Sequence, residues 1–561
     1  MTGPGAVALA APQLTQSVDW TALAPAVIPA ALAVVVLVAD LFLPPRRKQV
    51  LTWITVAGLA LALLSLIPLR AGRHATFCLA HAAGCSYTAD RFTLVLQVLV
   101  LGGALLTALL SAHAVEELPA GEFWFLLLSS ACGAALLPAS RDLITLIVAL
   151  EVTTLPSFAL VGLRRGDRMS SEAALKFFLT SVTATAVSLL GISFVYAATG
   201  SLHMDTVAAH LGSEPGQLHT LAKAGAALTL VGFAFKLAVA PFHFWVPDTY
   251  AGAPLPVAAY LSVVGKAAGF SGLILLTALA FHPYASTWGP AMGVLAALTM
   301  SVGNVGALRQ RPDAERGAVR LLAWSSIGQA GYLLVPLAAE SAHRAPGRHV
   351  GTTVAYALMY AVVNLGAFAV AALVSRTAPQ GRLTDYRGLY ARRPAAALAL
   401  AFFLLCLAGL PPGVIGLFAK VAVFSTAVDA QHGWLAVIMA VNVVIALVYY
   451  LRWTALLFGR PEGAAEGAVP GARADALPGA RPGAQADASG ARSGALGAQA
   501  GTSGAQVGAL AEPASLAADG AAVAVRTPFG LTAAIALAAV GGLVLSGAPQ
   551  IVLRYAQGVL L

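Results

Sequence analysis

Fourteen runs of about twenty residues in this sequence are almost free of charge and follow one another with short breaks. They lie near 21–43, 50–69, 90–112, 122–139, 142–163, 171–199, 222–243, 256–280, 287–308, 318–338, 350–375, 396–427, 434–458 and 528–548. A helix rises about 1.5 Å per residue, so about twenty apolar residues match the ~30 Å hydrocarbon core of a bilayer. Lipid offers no partner for backbone N–H and C=O groups, so runs that span it must be helical. The chain is 59% hydrophobic and only 10% charged, too little charge to cover a water-soluble protein of its length. The sequence therefore predicts an all-α polytopic membrane protein with about 14 transmembrane helices. The narrowest division, between the fourth and fifth runs, is the segment from Ala139 to Asp142.

Against that background the informative residues are the ionisable ones inside the runs. Of 33 basic residues only six are lysines, and four of these, Lys176, Lys236, Lys266 and Lys420, fall in apolar segments. A guanidinium stays protonated in essentially any environment, whereas an amine removed from water can exchange its proton. Lys236 and Lys266 share the stretch GFAFKLAVAPFHFWVPDTYAGAPLPVAAYLSVVGKAAG, each near the middle of its run. Pro241 follows Lys236 by five residues and removes a helix hydrogen bond, which predicts a broken helix carrying a buried amine. Lys420 repeats the theme in LAGLPPGVIGLFAKVAVF, where Pro411, Pro412, Gly413 and Gly416 precede it. Two interrupted helices with buried lysines, one in each half, point to repeated transport units.

Glu151, in LITLIVALEVTTLPSFAL, lies well inside the fifth run. A carboxylate at that depth keeps its charge only beside a cation, and Lys236 is the expected partner. A static ion pair is the alternative to a functional one. Lys176, about two turns into the sixth run, is placed either to tune Glu151 and load protons or to snorkel to the interface. His243 reads as a proton relay or as a hydrogen-bonded structural histidine. Asp40 reads as an interfacial charge and Asp248 as a turn-shaping residue. Ser325, Ser326, Gln329 and Tyr332 either hold water along the tenth helix or pack it.

Fifteen basic residues fall in short loops on one side, among them Arg46, Arg164, Arg311 and Arg387, against eight on the other. The positive-inside rule then puts both termini outside. The N-terminus lacks a basic n-region and a cleavable signal. Residues 459–527 are rich in Ala, Gly and Pro without any aromatic, and read as a disordered cytoplasmic linker between a membrane domain (1–458) and a last helix with its tail (528–561). Cys78 and Cys85 share one outer loop. Two free thiols are the expectation there, and a disulfide the alternative in an oxidising compartment. The net charge of +9 follows from this topology and calls for no nucleic acid.

A glycine-rich dinucleotide fingerprint, a haem attachment motif and a cluster-binding cysteine set are all absent from the sequence. The stretch KLAVAPFHFWVPDTYAGAPLPVAAYLSVVGKAAGF, supported by DLITLIVALEVTTLPSFALVG, LLAWSSIGQAGYLLV and DYRGLYARRPAAALALAFFLLCLAGLPPGVIGLFAK, closely resembles the antiporter-like membrane subunits of respiratory complex I. That resemblance implies inverted repeats of five helices and a proton-translocating role in NADH-quinone oxidoreductase. It implies a coupled pair Glu151–Lys236, a central relay Lys266, a distal Lys420 and a family lysine at Lys176, with His243 on the path. NADH, FMN, iron–sulfur clusters and quinone would belong to partner subunits, this chain binding no cofactor or metal. Its partners would be other antiporter-like and small membrane subunits, the lipid bilayer and protons, in the plasma membrane of a bacterium. The lysine at 420 and the lack of a long lateral helix after the last span separate it from two sister subunit types. There are departures: Gln329 stands where the family pattern has histidine, and the approach to Lys420 is one residue longer. The rival readings are a subunit of a multi-subunit cation/proton antiporter and a divergent scaffold subunit without pumping.

Overall fold

The computed structural model describes residues 18–78, 84–213, 215–340, 349–460 and 528–556. The expected linker 459–527 lies outside them except for Gly459 and Arg460. Among the described residues, thirteen helical segments are long and apolar enough to cross a membrane. The remaining expected span, 396–427, twelfth in chain order, is present as two shorter halves.

The first group comprises α1 (Trp20–Phe42), α2 (Gln49–Leu64) and α3 (Arg91–Ser111). Spans four to eight follow: α4 (Ala120–Leu136), α5 (Leu143–Val161), α6 (Arg168–Thr199), then, after the short surface helix α7 (Met204–His210), α8 (Gly216–Lys236) with α9 (Trp245–Gly252), and α10 (Leu255–Tyr260) with α11 (Lys266–Leu275). Spans nine to thirteen are α12 (Ala285–Leu308), α13 (Gly317–Glu340), α14 (Val350–Ser375), the pair α16 (Pro394–Ala408) and α17 (Val414–Asp429) preceded by the one-turn α15 (Leu389–Arg392), and α18 (Gly433–Leu457). The last span, α19 (Phe529–Gly547), is followed by α20 (Gln550–Ala556). The interrupted span is the fourth of five in each set. Five is odd, so the second set enters the membrane from the opposite face, as inverted repeats require.

Capping fixes where several spans start. The side chains of Asp19, Asp90, Asp142 and Asp167 accept backbone N–H bonds in the first turns of α1, α3, α5 and α6. Each such cap stabilises a helix by about 1 kcal/mol and satisfies donors that lipid cannot. Asp142 also settles the narrow division between the fourth and fifth spans, which part at a short 3-10 turn, Leu137–Ala139. Asp40 pairs with Lys48 at 3.0 Å, the interfacial contact expected of it.

Burial ranks the spans from the centre outward. The most enclosed are Gly317–Glu340, Leu255–Ala280 and Val350–Ser375, with 94%, 89% and 83% of their central windows buried. Phe529–Gly547, at 28%, turns most of its surface outward, exposing Leu537, Val540 and Leu543. Close helix pairs are sealed by glycines. A Cβ at Gly303 on α12 would lie 2.2 Å from the backbone nitrogen of Gly328 on α13, and one at Gly191 on α6 would lie 2.5 Å from that of Thr229 on α8. Small residues that let backbones approach are the usual means of helix association in lipid.

Two expectations are corrected. The seventh run does not continue through 222–243 with Lys236 at its middle; the helix ends at Lys236 and the chain runs irregularly to Trp245, with a cis bond at Ala240–Pro241. The interrupted backbone is satisfied locally: the Ala240 N–H donates to Thr299 Oγ1 (2.9 Å), and the Trp245 indole donates to the Phe235 carbonyl (3.1 Å). The loop after α2 holds a two-stranded antiparallel sheet, β1 (His74–Cys78) with β2 (Cys85–Ala89). In it Cys78 and Cys85 form a disulfide, not two free thiols. The pairing of Cys78 with Cys85 across the strands brings the two sulfurs together.

Candidate functional site

Lys236, Lys266 and Lys420 are all buried, the first two at an irregular point of the helix and the third within the half-helix that follows a break. Lys236 is the last residue of α8. Lys266 follows a π-helical turn, Leu261–Gly265. Lys420 lies just beyond the Pro411–Pro412 break, against the end of α16. At the second break the carbonyls of Leu407 and Ala408 face Pro411 and Pro412, which have no N–H, and the amine takes both; Lys266 instead takes a carbonyl of a neighbouring, uninterrupted helix. Lys420 Nζ donates to the carbonyls of Leu407 (2.9 Å) and Ala408 (2.8 Å), and Lys266 Nζ donates to the carbonyl of Ser326 on α13. Close packing makes the second break possible: a Cβ at Gly416 would fall 1.7 Å from the Cys406 carbonyl oxygen. Gly409 has φ +85°, open to glycine without strain, and a Cβ there would lie 3.2 Å from Lys420 Cδ.

Lys236 has side-chain partners instead. Its ammonium donates to Ser181 Oγ (2.6 Å) and Thr154 Oγ1 (3.2 Å), and lies 3.5 Å from Glu151 Oε1. Glu151 is further held by the hydroxyls of Thr185 (2.6 Å) and Thr154 (3.3 Å). The expected Glu151–Lys236 pairing is therefore present, embedded in hydroxyls from α5 and α6. The sequence reading missed Ser181 and Thr185. Their spacing of four residues, one face of a helix, is the signal that would have found them.

Between Lys266 and Lys420 the polar groups form a line along α13, in two hydrogen-bonded sets one turn apart. Ser326, whose carbonyl accepts from Lys266, accepts the Tyr360 hydroxyl on its Oγ (2.8 Å). One turn on, Gln329 Oε1 accepts from Tyr356, while Gln329 Nε2 points to Tyr450 (3.4 Å) and to the Leu407 carbonyl (3.5 Å). That carbonyl is one of the two that hold Lys420. A cavity of about 20 Å³ lies among Gln329, Tyr356, Tyr360 and Lys420, enough for one water. The Tyr332 ring lies under the Lys420 ammonium, 5.5 Å from it, and stacks on Tyr356. Ser325 bonds Tyr450 at 2.5 Å. Ser325, Ser326 and Gln329 thus engage protein partners, and Gln329 completes the line where the family pattern has histidine.

Lys176 and His243 stand apart from this line. Lys176 pairs with Glu172 (2.8 Å) and Asp248 (3.0 Å), and its side chain is about half exposed, so it does not reach Glu151. Asp248 also binds Arg320 (3.2 Å), which makes it the centre of a charge cluster joining α6, α9 and α13 rather than a cap. The His243 ring lies 5.6 Å from Trp324, and its Nδ1 has no hydrogen-bond partner among the described residues.

Comparison with known proteins follows the same pattern. Residues 140–446 match the family described as "NADH:quinone oxidoreductase/Mrp antiporter, TM". A protein of Streptomyces griseus named "NADH-quinone oxidoreductase subunit N 2" is 63% identical over 554 residues, covering 99% of this chain and 96% of its own. A chain in the structure of respiratory complex I from Thermus thermophilus with bound aureothin superposes with TM-score 0.68 at 31% identity, covering 95% of this chain and all of that one. A chain of the Mrp complex from Dietzia gives 0.73 at 21% identity, covering 96% of each, and shares the fold alone. Fold likeness therefore does not separate the two branches, whereas sequence identity does: this chain belongs to the antiporter-like membrane subunits of NADH-quinone oxidoreductase, in the subunit N branch.

Proposed function

We propose that this chain moves protons across the plasma membrane of a bacterium as a membrane subunit of an NADH-quinone oxidoreductase. NADH, flavin, iron–sulfur clusters and quinone are handled by partner subunits, and this chain supplies a proton path without a redox site of its own. The observation that carries this reading is the burial of Lys236, Lys266 and Lys420, with tyrosine and serine hydroxyls, Gln329 and a water-sized cavity between the last two. Hydroxyls and water both donate and accept, so they can pass a proton between such amines, and charge on one buried amine disfavours charge on the next. Glu151 and Lys236 form the coupled entry pair, Lys266 the central station and Lys420 the distal one. Lys176 and His243 act at the edge of the path: Lys176 holds the loop beside it through Asp248, and His243 borders the α8 break.

The arginine-rich loops face the cytoplasm in this reading and both termini face outward. Labelling of an Arg73→Cys variant from the cytoplasmic side would overturn that orientation. Residues 459–527 join the last two spans on the cytoplasmic side.

The test is NADH-driven proton uptake into sealed vesicles, normalised to complex content, with Lys420→Ala against wild type. Loss of most uptake with the complex assembled is expected. Full uptake would favour the scaffold reading, in which the chain only completes the membrane arm.

A further inference from the structure

The ends of seven chain segments on the arginine-rich face enclose a cavity of about 970 Å³. They are the ends of α3 and α14, the α5–α6 and α9–α10 connections, and the starts of α4, α13 and α19. The volume is at the upper end of ordinary ligand pockets. Its lining includes apolar Leu110, Leu163, Leu255, Val319 and Leu531. Its polar lining carries four guanidiniums, Arg164, Arg165, Arg316 and Arg376, against two carboxylates, Glu117 and Asp167.

These arginines are not equivalent. Arg316 is fixed: it donates to the Ala251 carbonyl and lies 3.3 Å from Asp167, which in turn caps α6 through the N–H groups of Met169 and Ser170. Arg165 reaches outward to Glu122 at 3.7 Å, largely in solvent. The side chains of Arg164 and Arg376 make no hydrogen bond or ion pair among the described residues. Arg164 is half-buried beside Arg316. Burial first, and then the Arg316 charge, hold its guanidinium below the ordinary arginine value. Two guanidiniums without a hydrogen bond or ion pair among the described residues, lining a chamber with apolar walls at the helix ends, have the chemistry of an amphiphilic anion site. Guanidiniums bind phosphate through paired N–H···O bonds, and basic pockets between helices on a membrane's cytoplasmic side take anionic headgroups.

We propose that this cavity binds the phosphate headgroup of an anionic phospholipid, with Arg164 and Arg376 recognising the phosphate and the apolar wall taking the start of an acyl chain. Arg316 is already satisfied by Asp167 and the Ala251 carbonyl, which leaves Arg164 and Arg376 to take the phosphate. The inference depends on the helices lying in a bilayer and not on proton transport through them.

The test uses the intact complex carrying Ser375→Cys, a cavity-lining position. The complex is placed in bilayers of phosphatidylcholine alone, of phosphatidylcholine with phosphatidylglycerol, or of phosphatidylcholine with millimolar inorganic phosphate in the buffer. The rate of modification by a charged maleimide is read in each. Phosphatidylglycerol should slow modification about tenfold or more, and inorganic phosphate should not. Arg164→Gln and Arg376→Gln should each raise the phosphatidylglycerol needed by about fivefold, the weight of one basic residue near a membrane surface. The double variant should lose the protection, and Arg164→Lys should keep part of it. If the double variant does not assemble, the two single variants decide. Equal rates in the two lipids, or protection that persists without both arginines, would overturn the proposal. So would protection by inorganic phosphate, which marks a soluble-ion site, or slow modification in phosphatidylcholine alone, which marks a protein segment filling the cavity. NADH-driven proton uptake measured in the same samples separates loss of lipid recognition from loss of pumping.

Discussion

Lys236 and Glu151 are each held more closely by a hydroxyl than by one another. Their charged atoms stand 3.5 Å apart, while Ser181 Oγ lies 2.6 Å from the ammonium and the Thr185 hydroxyl lies 2.6 Å from the carboxylate. An ion pair kept for rigidity would close to direct contact, since its desolvation is repaid only by good geometry. A pair cushioned by hydroxyls can lose or gain a proton on either member without leaving the other unsatisfied.

The first prediction follows for Lys236→Arg. Arginine preserves the charge beside Glu151 but does not readily give up its proton. Proton uptake per NADH oxidised should fall roughly tenfold or more, an effect of about 1.4 kcal/mol or larger, with the complex still assembled. Full uptake by this variant would instead mark the pair as a static one.

Thr185 offers a milder probe. Thr185→Val keeps the side-chain shape and removes one hydrogen bond to a charged group, worth about 1.5–3 kcal/mol. Uptake should drop about tenfold. Thr183→Val, whose exposed hydroxyl bonds only the Leu179 carbonyl at 2.9 Å, should leave uptake unchanged. Equal behaviour of the two variants would remove Thr185 from the path.

Gly303→Ala tests the packing of the second repeat. The added methyl would meet the Gly328 backbone nitrogen at 2.2 Å, and backbone cannot swing aside as a flexible side chain does. Overpacking of this kind costs about 1–3 kcal/mol. The melting temperature and yield of the complex should both fall. Gly102→Ala, with nothing within 4 Å of its new methyl, should match wild type.

Thiol counting tests the hairpin between α2 and α3. Cys132 and Cys406 are free and buried, and Cys78 and Cys85 are bonded. In denaturant, two thiols should react before reduction and four after. Cys78→Ser should give three without reductant. Four reactive thiols in the unreduced wild type would show the hairpin open.

Hydropathy made the spans legible, and the cost of burying charge made Glu151, Lys236, Lys266 and Lys420 legible, because an ionisable group in lipid is expensive enough to be conspicuous. The hydroxyls were not. Threonine and serine sit cheaply in a membrane helix by bonding the carbonyl four residues back, as Thr183 does to Leu179 and Thr185 does to Ser181. Thr185 differs only in also reaching Glu151 on another helix, which requires the tertiary packing of α5 against α6 to see. The same holds for Tyr356, Tyr360 and Tyr450, whose rings read as ordinary apolar bulk until α13 places Ser325, Ser326 and Gln329 at their hydroxyls. Lys176 was ambiguous for a related reason, since tuning Glu151 and snorkelling to the interface were both open. Its depth in the sequence was right for Glu151, but Glu172 and Asp248 lie nearer. The end of α8 at Lys236 was blurred because Pro241 marks a break without fixing how many residues before it the helix unwinds.

The two carbonyls that hold Lys420 bear on what that side chain can afford to lose. An ammonium group has three N–H bonds and a neutral amine two. Leu407 and Ala408 each present one acceptor to Nζ. The neutral amine therefore has enough donors to keep both tethers, and the third hydrogen is the one free to depart. Protonation and deprotonation at this position need not unfasten the side chain from the broken helix, so the charge can come and go while the amine stays in register. Glutamine at 420 would test the separation: its shorter amide presents two N–H donors and no exchangeable charge, leaving a helix break that is still tied but a station that can no longer be loaded.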